Sequence, residues 1–147
     1  MTTPDLLPDP QETTEDRWLG GRLTLSQPAK SYRVAIDAAL LAAAVPLAPG
    51  GRALELGTGV GAAALALAAR VPDATIDGVE LQPELAALAC RNVDANALAN
   101  RVTLRQGDIL TLGPAYRDYD EVFFNPPYLR AAENDATADP IKRTATV

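Results

Sequence analysis

A short polar motif, NPPY at residues 125–128, directly follows the apolar segment at 122–124. Each proline fixes its own φ and pushes the preceding residue out of the helical region, so the carbonyl groups point in set directions. The amide oxygen of Asn125 and the carbonyl of Pro126 can then accept the two hydrogens of an NH₂ group, which turns the nitrogen lone pair toward an electrophile. A tyrosine ring can stack on a planar substrate. The motif predicts a catalytic clamp for a planar amino group, formed by Asn125, Pro126, Pro127 and Tyr128.

A glycine-rich turn, ELGTGVG at 55–61, leaves a short apolar strand and enters a helix. Glycines allow positive φ and a close approach of the backbone to a ligand, and the helix N-terminus offers N–H groups. The spacing also satisfies the dinucleotide fingerprint G-x-G-x-x-[GA], so a nicotinamide site remains a competitor. The carboxylate of Glu55 fits poorly beside a pyrophosphate but well beside a cation such as a sulfonium amino acid. The residues of this turn predicted to bind a cofactor are Glu55, Gly57, Thr58, Gly59 and Gly61.

Acidic residues end two further strands. Glu80, followed by Leu81, closes a strand 23 residues after Gly57, where a carboxylate can accept hydrogen bonds from both ribose hydroxyls of a nucleoside. Asp108 can accept from an adenine amino group while the N–H of Ile109 donates to the ring; alternatively, Asp108 caps a turn. We expect Glu80, Leu81, Asp108 and Ile109 to bind the nucleoside part of a cofactor.

The elements that must position these residues alternate between strand and helix from residue 52 onward. The apolar pattern predicts strands at 52–56, 74–79, 102–105 and 121–124, and helices at 60–70 and 83–98. This order is typical of a parallel sheet with right-handed crossovers, in which ligands bind at the carboxyl ends of the strands. The prediction is an α/β fold, with a parallel sheet and helices on both of its faces.

The first 51 residues differ from the rest in composition. Residues 1–16 contain five acids, three prolines and no base, which predicts a disordered acidic tail. In the segment 17–51 we predict a hairpin around Gly20-Gly21 and a helix over 35–45.

The net charge of −6 is unevenly distributed. Residues 17–36 contain four bases and no acid: Arg17, Arg22, Lys30 and Arg33. We expect this segment to make the first contact with the phosphates of a nucleic acid, the alternative being an ordinary solvated surface.

The chain has one cysteine and no histidine. It therefore offers neither an intramolecular disulfide nor a Ser-His or Cys-His catalytic site, and we predict no metal. We expect Cys90 to be a buried filler. No apolar run reaches the roughly 18 residues of a membrane span and the start is unlike a secretory signal, so we expect a cytoplasmic protein with no membrane partner.

The order of four motifs over about residues 52–128 resembles that of the class I amino-methyltransferases. These motifs are ExGxGxG, the acid that ends the second strand, GDI after the third strand and NPPY after the fourth. The upstream sequences LGGRL at 19–23 and SYRVAIDAALL at 31–41 further resemble the bacterial tRNA adenine N6-methyltransferases that modify a base beside the anticodon.

The resemblance implies a Rossmann-like methyltransferase fold and S-adenosylmethionine as the cofactor. It also implies that Asp37 and its helix border the cofactor site, that Asn125 reaches the cofactor, and that the acceptor is the N6 amino group of an adenine in RNA, with tRNA as the expected partner. Such sheets have seven strands, whereas this chain stops 19 residues after Tyr128. The catalytic domain, 52–147, is therefore expected to be truncated after strand four.

Three other functions remain open at this point. A protein glutamine methyltransferase of the release-factor-modifying type would use the same clamp, because a side-chain amide is also a planar NH₂ group. A nicotinamide dehydrogenase would explain the glycines but not NPPY. An inactive S-adenosylmethionine-binding half-domain would agree with the missing strands.

Overall fold

The structure, a computed structural model, describes residues 12–30 and 33–126. Two antiparallel strands come first and are followed by four parallel strands that alternate with helices. In chain order the elements are β1 (Thr13–Trp18), β2 (Leu23–Pro28), α1 (Ile36–Ala44), β3 (Arg52–Leu56), α2 (Ala62–Arg70), β4 (Thr75–Glu80), α3 (Pro83–Ala95), β5 (Val102–Gln106), a 3₁₀ turn (Ile109–Thr111) and β6 (Glu121–Phe124).

The four parallel strands form one sheet in the order β5-β4-β3-β6. The chain adds β4 and β5 on one side of β3 and then crosses to add β6 on the other, so the direction of winding changes between β3 and β6. Crevices for ligands form at such switch points, at the carboxyl ends of the strands. The predicted strands and helices are confirmed, although α2 begins at Ala62 and α3 ends at Ala95.

One face of the sheet carries the core. Strand register aligns Ala53 with Ile76 and Ile76 with Val102, and these side chains are buried against the alanine-rich α2. Small side chains let this helix approach the sheet closely. All three described helices contribute to this core, so the second helical layer expected from the sequence is not among the described residues. On the opposite face Val122 and Phe124 are more than half exposed.

Asn92 of α3 and Asn96, the residue that caps its C-terminus, hold the β1–β2 hairpin against this helix. The side chain of Asn92 accepts from the N–H of Ser26 at 2.6 Å and donates to the carbonyls of Ser26 and Val60, both at 2.9 Å. Asn96 forms the same pair of bonds with the N–H and carbonyl of Thr24. These two side-chain amides form the backbone hydrogen bonds that a neighbouring strand would form with the free edge of β2. The hairpin is therefore a fixed part of the domain.

The acidic tail predicted over residues 1–16 is wrong for residues 13–16, which lie in β1. These residues pair with β2 in an antiparallel ladder, and Asp16 accepts hydrogen bonds from Gln27 and Arg33. Such contacts between distant residues offset the ordering entropy that the composition of the segment implies. Residues 1–11 lie outside the described residues. The hairpin around Gly20-Gly21 is confirmed.

Cys90 is not the buried filler that its helical pattern predicts. It lies exposed on α3, with its Sγ 3.2 Å from the carbonyl oxygen of Leu104. The buried stripe of α3 instead passes through Leu88, Ala89 and Asn92, so Cys90 falls just outside the face that packs on the sheet.

Helix α3 ends in a Schellman motif whose left-handed position is occupied by an alanine. The N–H of Leu98 donates to the carbonyl of Val93 and the N–H of Ala97 to that of Asp94, with φ of Ala97 at +54°. A left-handed backbone conformation costs alanine conformational energy but costs glycine almost none. We therefore expect Ala97→Gly to raise the free energy of unfolding by about 0.5–1 kcal/mol in urea denaturation. Ala95→Gly, within the same helix, is the control and should lower it; a loss in both variants would contradict the prediction.

Candidate active site

A cleft lies at the carboxyl edge of the sheet, at the switch point between β3 and β6. It is lined by Val34, Ala38, Glu55, Gly57, Thr58, Val60, Ala62, Ala63 and Asn125. The structure therefore brings together residues predicted from two separate motifs: Glu55, Gly57 and Thr58 of the glycine turn, and Asn125 of NPPY.

The glycine turn is closed by contacts with β4. The N–H groups of Gly57 and Thr58 both donate to the carbonyl of Val79, at 2.8 and 3.0 Å. Gly61 has a φ of +86°, and a Cβ there would lie 2.5 Å from Cδ1 of Leu104, so this position needs glycine for both conformation and space.

The start of α2 presents donors to the cleft, whereas most N–H groups of the turn before it do not. In the turn, the N–H groups of Gly57, Thr58, Gly59 and Gly61 already have partners within the protein. The N–H groups of the first helical residues, Ala62 and Ala63, have no partner inside the helix, because nothing precedes them in it. Both residues line the cleft, so polar or anionic groups of a ligand can bind there.

Glu55 places a buried carboxyl group beside the cleft. One of its oxygens accepts from Oγ1 of Thr58 at 2.6 Å and from the N–H of Ala64 at 3.1 Å. Burial raises the pKa of Glu55 to about 8, helped by the negative charge of Glu80 and opposed by these two hydrogen bonds. Without a cationic neighbour, this carboxyl group is largely protonated at neutral pH.

Glu55 should make the stability of the protein depend on pH. Its pKa in the folded state, about 8, lies above its ordinary value of 4.5, so between these values only the folded state keeps the proton. The free energy of unfolding should therefore fall as pH rises from about 5 to 8, by about 2–4 kcal/mol from this group. Glu55→Gln cannot titrate and should show a shallower fall in urea denaturation at pH 5, 6.5 and 8. The exposed Glu84→Gln is the control, and equal slopes in wild type and Glu55→Gln would contradict the prediction.

Glu80, predicted to hold ribose hydroxyls, is buried at the end of β4. Its two oxygens accept from the N–H of Gly59 at 2.8 Å and from the N–H of Gln82 at 2.9 Å. The carboxylate thus ties the glycine turn to the start of α3. Each carboxylate oxygen has a second lone pair, so ribose binding stays a prediction. The adjacent Leu81 is 52% exposed, which leaves an apolar surface at the strand end.

Asp108 caps the 3₁₀ turn that follows β5. Its Oδ1 accepts from the N–H of Leu110 at 2.8 Å, so the turn-capping role foreseen as an alternative is present. Ile109 is 48% exposed at the same edge of the sheet. Binding of an adenine ring by Asp108 and Ile109 stays a prediction.

Asn125, the first residue of the clamp, contacts Asp37 directly. Its Nδ2 donates to Oδ2 of Asp37 at 2.7 Å, and Oδ1 of Asp37 accepts from the N–H of Ala38 at 3.0 Å. Asp37 was predicted to border a cofactor; here its side chain holds the predicted catalytic amide. Pro126 is exposed, while Pro127 and Tyr128 lie outside the described residues.

Comparison with known proteins agrees with this geometry. Residues 31–146 match the model of the family described as methyltransferase small domain. The chain belongs to this family.

Its relatives include the tRNA1(Val) (adenine(37)-N6)-methyltransferase of Yersinia pestis (strain Pestoides F), which is 39% identical over 104 residues, covering 69% of this chain and 42% of the relative. The chain thus spans less than half the length of the curated relatives it matches.

Solved structures of other methyltransferases share the fold. A predicted O-methyltransferase from Agrobacterium tumefaciens is 32% identical, with a TM-score of 0.54 over 62% of this chain and 49% of that one. A SAM-dependent methyltransferase from Thiobacillus denitrificans, solved with S-adenosyl-L-homocysteine, is 26% identical, with a TM-score of 0.52 over 62% and 36%. The M. jannaschii tRNA m1G37 methyltransferase reaches a TM-score of 0.65 over 87% and 38% at 17% identity, a likeness of fold alone.

The hairpin, which precedes the residues that match the methyltransferase small domain, supplies one residue that the sequence did not single out, Gln27. Oε1 of Gln27 accepts from the N–H of Val34 at 2.8 Å, and Nε2 donates to Asp16 at 2.7 Å. Gln27 thereby fixes the segment that leads into α1 and toward Asp37. A buried glutamine in a strand is itself unusual, but without its partners it carries no sign of this role.

The basic segment of the domain is less positive than its composition suggests. Arg33 forms an ion pair with Asp16 at 2.9 Å, although Asp16 lies just outside the segment counted as free of acids. Hydrogen bonds from Gln27 and Thr14, together with Arg33, hold the pKa of Asp16 below its usual value. Only Arg17, Arg22 and Lys30 remain to give the segment a local positive charge.

Within residues 12–30 and 33–126, no group of three or more acidic or cysteine side chains is arranged to hold a metal ion. None of the helices described in the domain has the length and apolar character needed to cross a membrane.

Proposed function

We propose that this protein is an S-adenosylmethionine-dependent methyltransferase that modifies the N6 amino group of an adenine in tRNA. The observation that carries the proposal is the position of Asn125. It follows β6 at the switch point, lines the cleft beside the glycine turn and has its amide nitrogen held by Asp37. The name of the Yersinia relatives supports the choice of acceptor.

The residues around the cleft fit S-adenosylmethionine. Glu55 offers a buried carboxyl group to the cationic methionine part, and the N–H groups that begin α2 offer donors to its carboxylate. Glu80 would hold the ribose hydroxyls, and Asp108 and Ile109 the adenine edge. When bound, the cofactor supplies an electrophilic methyl group on a sulfonium sulfur.

The chain itself contributes the positioning of the acceptor nitrogen. The Oδ1 atom of Asn125 and the carbonyl of Pro126 accept the two amino hydrogens, and Tyr128 stacks on the base. The lone pair of the nitrogen is then directed out of the plane of the base. Holding the reacting groups in this geometry contributes most of the rate acceleration.

The hairpin provides the first contact with RNA in this proposal. Arg17 and Arg22 flank its turn and Lys30 follows β2; all three are exposed. The hairpin is fixed to α3 and leads through Val34 into the lining of the cleft. Thr24, next to the turn, bonds Asn96 at the C-terminal end of α3, so Arg17 and Arg22 lie at the end of the hairpin away from the cleft. They would bind RNA phosphates at a distance from the adenine that enters the cleft, and Lys30 would bind phosphates nearer to it.

The proposal is tested in two steps with the full-length protein. Calorimetric titration should show binding of S-adenosylmethionine and none of NADH; the reverse would indicate a nicotinamide enzyme. Radiolabelled methyl groups should then be transferred to unmodified tRNA and not to a release-factor peptide with an accessible glutamine. Transfer to the peptide alone would identify a glutamine methyltransferase, and cofactor binding without transfer to either substrate would identify an inactive binding domain.

Glu80→Ala should weaken S-adenosylmethionine binding by about 1–3 kcal/mol, because two ribose hydroxyls lose their charged acceptor. Titration calorimetry measures the change, with the exposed Glu84→Ala as the control. Since Glu80 also bonds the N–H of Gly59, Glu80→Gln is measured beside it; it keeps an acceptor for one of these partners and should bind with intermediate affinity. Unchanged affinity in Glu80→Ala would remove Glu80 from the cofactor site.

A further inference from the structure

We infer that Asp37 is a positioning residue that fixes the amide of Asn125 with its oxygen toward the acceptor nitrogen. The inference rests on the proposed function and names a residue on which the catalytic asparagine depends. Its basis is the 2.7 Å hydrogen bond between Nδ2 of Asn125 and Oδ2 of Asp37.

The two ends of an asparagine amide differ only in which is donor and which is acceptor. A carboxylate only accepts, so Asp37 can face the nitrogen of Asn125 but not its oxygen. Turning the amide by 180° would place two acceptor oxygens about 2.7 Å apart, which is repulsive. Asp37 therefore selects one of the two orientations and directs Oδ1 of Asn125 away from itself.

This selection matters for the proposed reaction. An NH₂ group approaches the clamp with two hydrogens and needs an acceptor. A turned amide would present its own NH₂ group instead, so donor would meet donor. Without the carboxylate of Asp37, the repulsion that disfavours the turned amide is lost, and a larger part of the protein would present the wrong end of the amide to the substrate nitrogen.

The fold holds the carboxylate of Asp37 in place from several directions. It lies in the first turn of α1, where its second oxygen accepts from the N–H of Ala38. Helix α1 packs through the buried Ala42, and the segment before it is held by Gln27, whose side chain bonds the N–H of Val34. The hairpin and α1 thus present one carboxylate to a residue 88 positions later in the chain.

The test uses single variants and a reciprocal exchange in the full-length protein. Asp37→Ala should lower kcat on unmodified tRNA by about tenfold or more, while the Kd of S-adenosylhomocysteine changes by less than about twofold. Asn125→Asp alone sets two carboxylates against each other and should be at least as inactive. The double variant Asp37→Asn with Asn125→Asp restores the bond with donor and acceptor exchanged, and leaves a carboxylate oxygen for the substrate; its kcat should exceed that of Asn125→Asp by about tenfold.

The recovery of kcat in the double variant distinguishes a positioning role from a general role in folding. If the single variants lost activity because they misfold, exchanging donor and acceptor would not restore it. The exposed Asp94→Ala is the control and should retain wild-type kcat. The inference would be overturned if Asp37→Ala had the kcat of wild type, or if the kcat of the double variant did not exceed that of Asn125→Asp.

A second measurement does not depend on turnover. The side-chain NH₂ resonances of Asn125, identified by their disappearance in Asn125→Asp, should move in Asp37→Ala because the hydrogen-bonded proton loses its acceptor. If wild type methylates no tRNA, the proposed function fails while this measurement still tests the orientation of the amide. Unmoved resonances would overturn the inference about Asp37.

Discussion

Replacing Asn125 by alanine should lower the rate of methyl transfer by orders of magnitude while leaving the affinity for S-adenosylmethionine nearly intact. In the proposed reaction, Asn125 accepts a hydrogen of the acceptor nitrogen, and this contact forms in the reacting geometry. Removing one such positioned polar group costs about 10²–10³-fold in kcat. The glycine turn, Glu55 and Glu80, which are proposed to hold the cofactor, keep their contacts with one another in this variant.

The measurement combines single-turnover methylation of unmodified tRNA with calorimetric titration of the cofactor. Asn100→Ala, at an exposed position after α3, is the control and should behave as wild type. Equal losses of binding and turnover would place Asn125 in the cofactor site rather than in the clamp.

Asn92→Leu should lower the free energy of unfolding by about 3–6 kcal/mol, a large part of the 5–15 kcal/mol typical of a domain. Asn92 is fully buried and satisfies three backbone groups: the N–H and carbonyl of Ser26 and the carbonyl of Val60. Leucine has a similar size but leaves these groups buried without partners, at about 1–3 kcal/mol each.

Urea denaturation of the full chain measures this change. Asn96→Leu is the matched control, because it removes the equivalent bonds to Thr24 at a half-buried site where water can replace them; its loss should be about 1 kcal/mol. Since Val60 belongs to the glycine turn, Asn92→Leu should also weaken cofactor binding. Equal losses in the two variants would show that the burial of Asn92 is unimportant.

The elements of the sheet could be predicted because their signals are local. Short apolar runs are enough to predict β3 to β6, and the alanine-rich or amphipathic stretches between them are enough to predict α2 and α3. The predicted and observed elements differ at the ends of helices, because the backbone angles of single residues decide where a helix starts and stops. Helix α2 starts only after Gly61, which is left-handed at φ +86°, and α3 ends at Ala95, two residues before the left-handed Ala97.

The hairpin shows where composition misleads. The acids and threonines at 13–16 predict disorder when only the residues next to them in the sequence are considered. In the fold, Thr13 pairs with Pro28 and Asp16 with Leu25, and Asp16 also holds Arg33. Their order comes from contacts with residues that follow them by up to 19 positions, which local composition does not show.

The sequence by itself determined the α/β fold, the family and the cluster of polar residues at one edge of the sheet, because parallel strands bring their carboxyl ends together. Only the tertiary structure decided which polar atoms meet. The pairing of Asn125 with Asp37, of Glu80 with Gly59, and of Asn92 with Ser26 joins residues 88, 21 and 66 positions apart. A hydrogen bond depends on distance and direction to within a fraction of an ångström, and these are set by how the hairpin and helices pack, not by the order of residues along the chain.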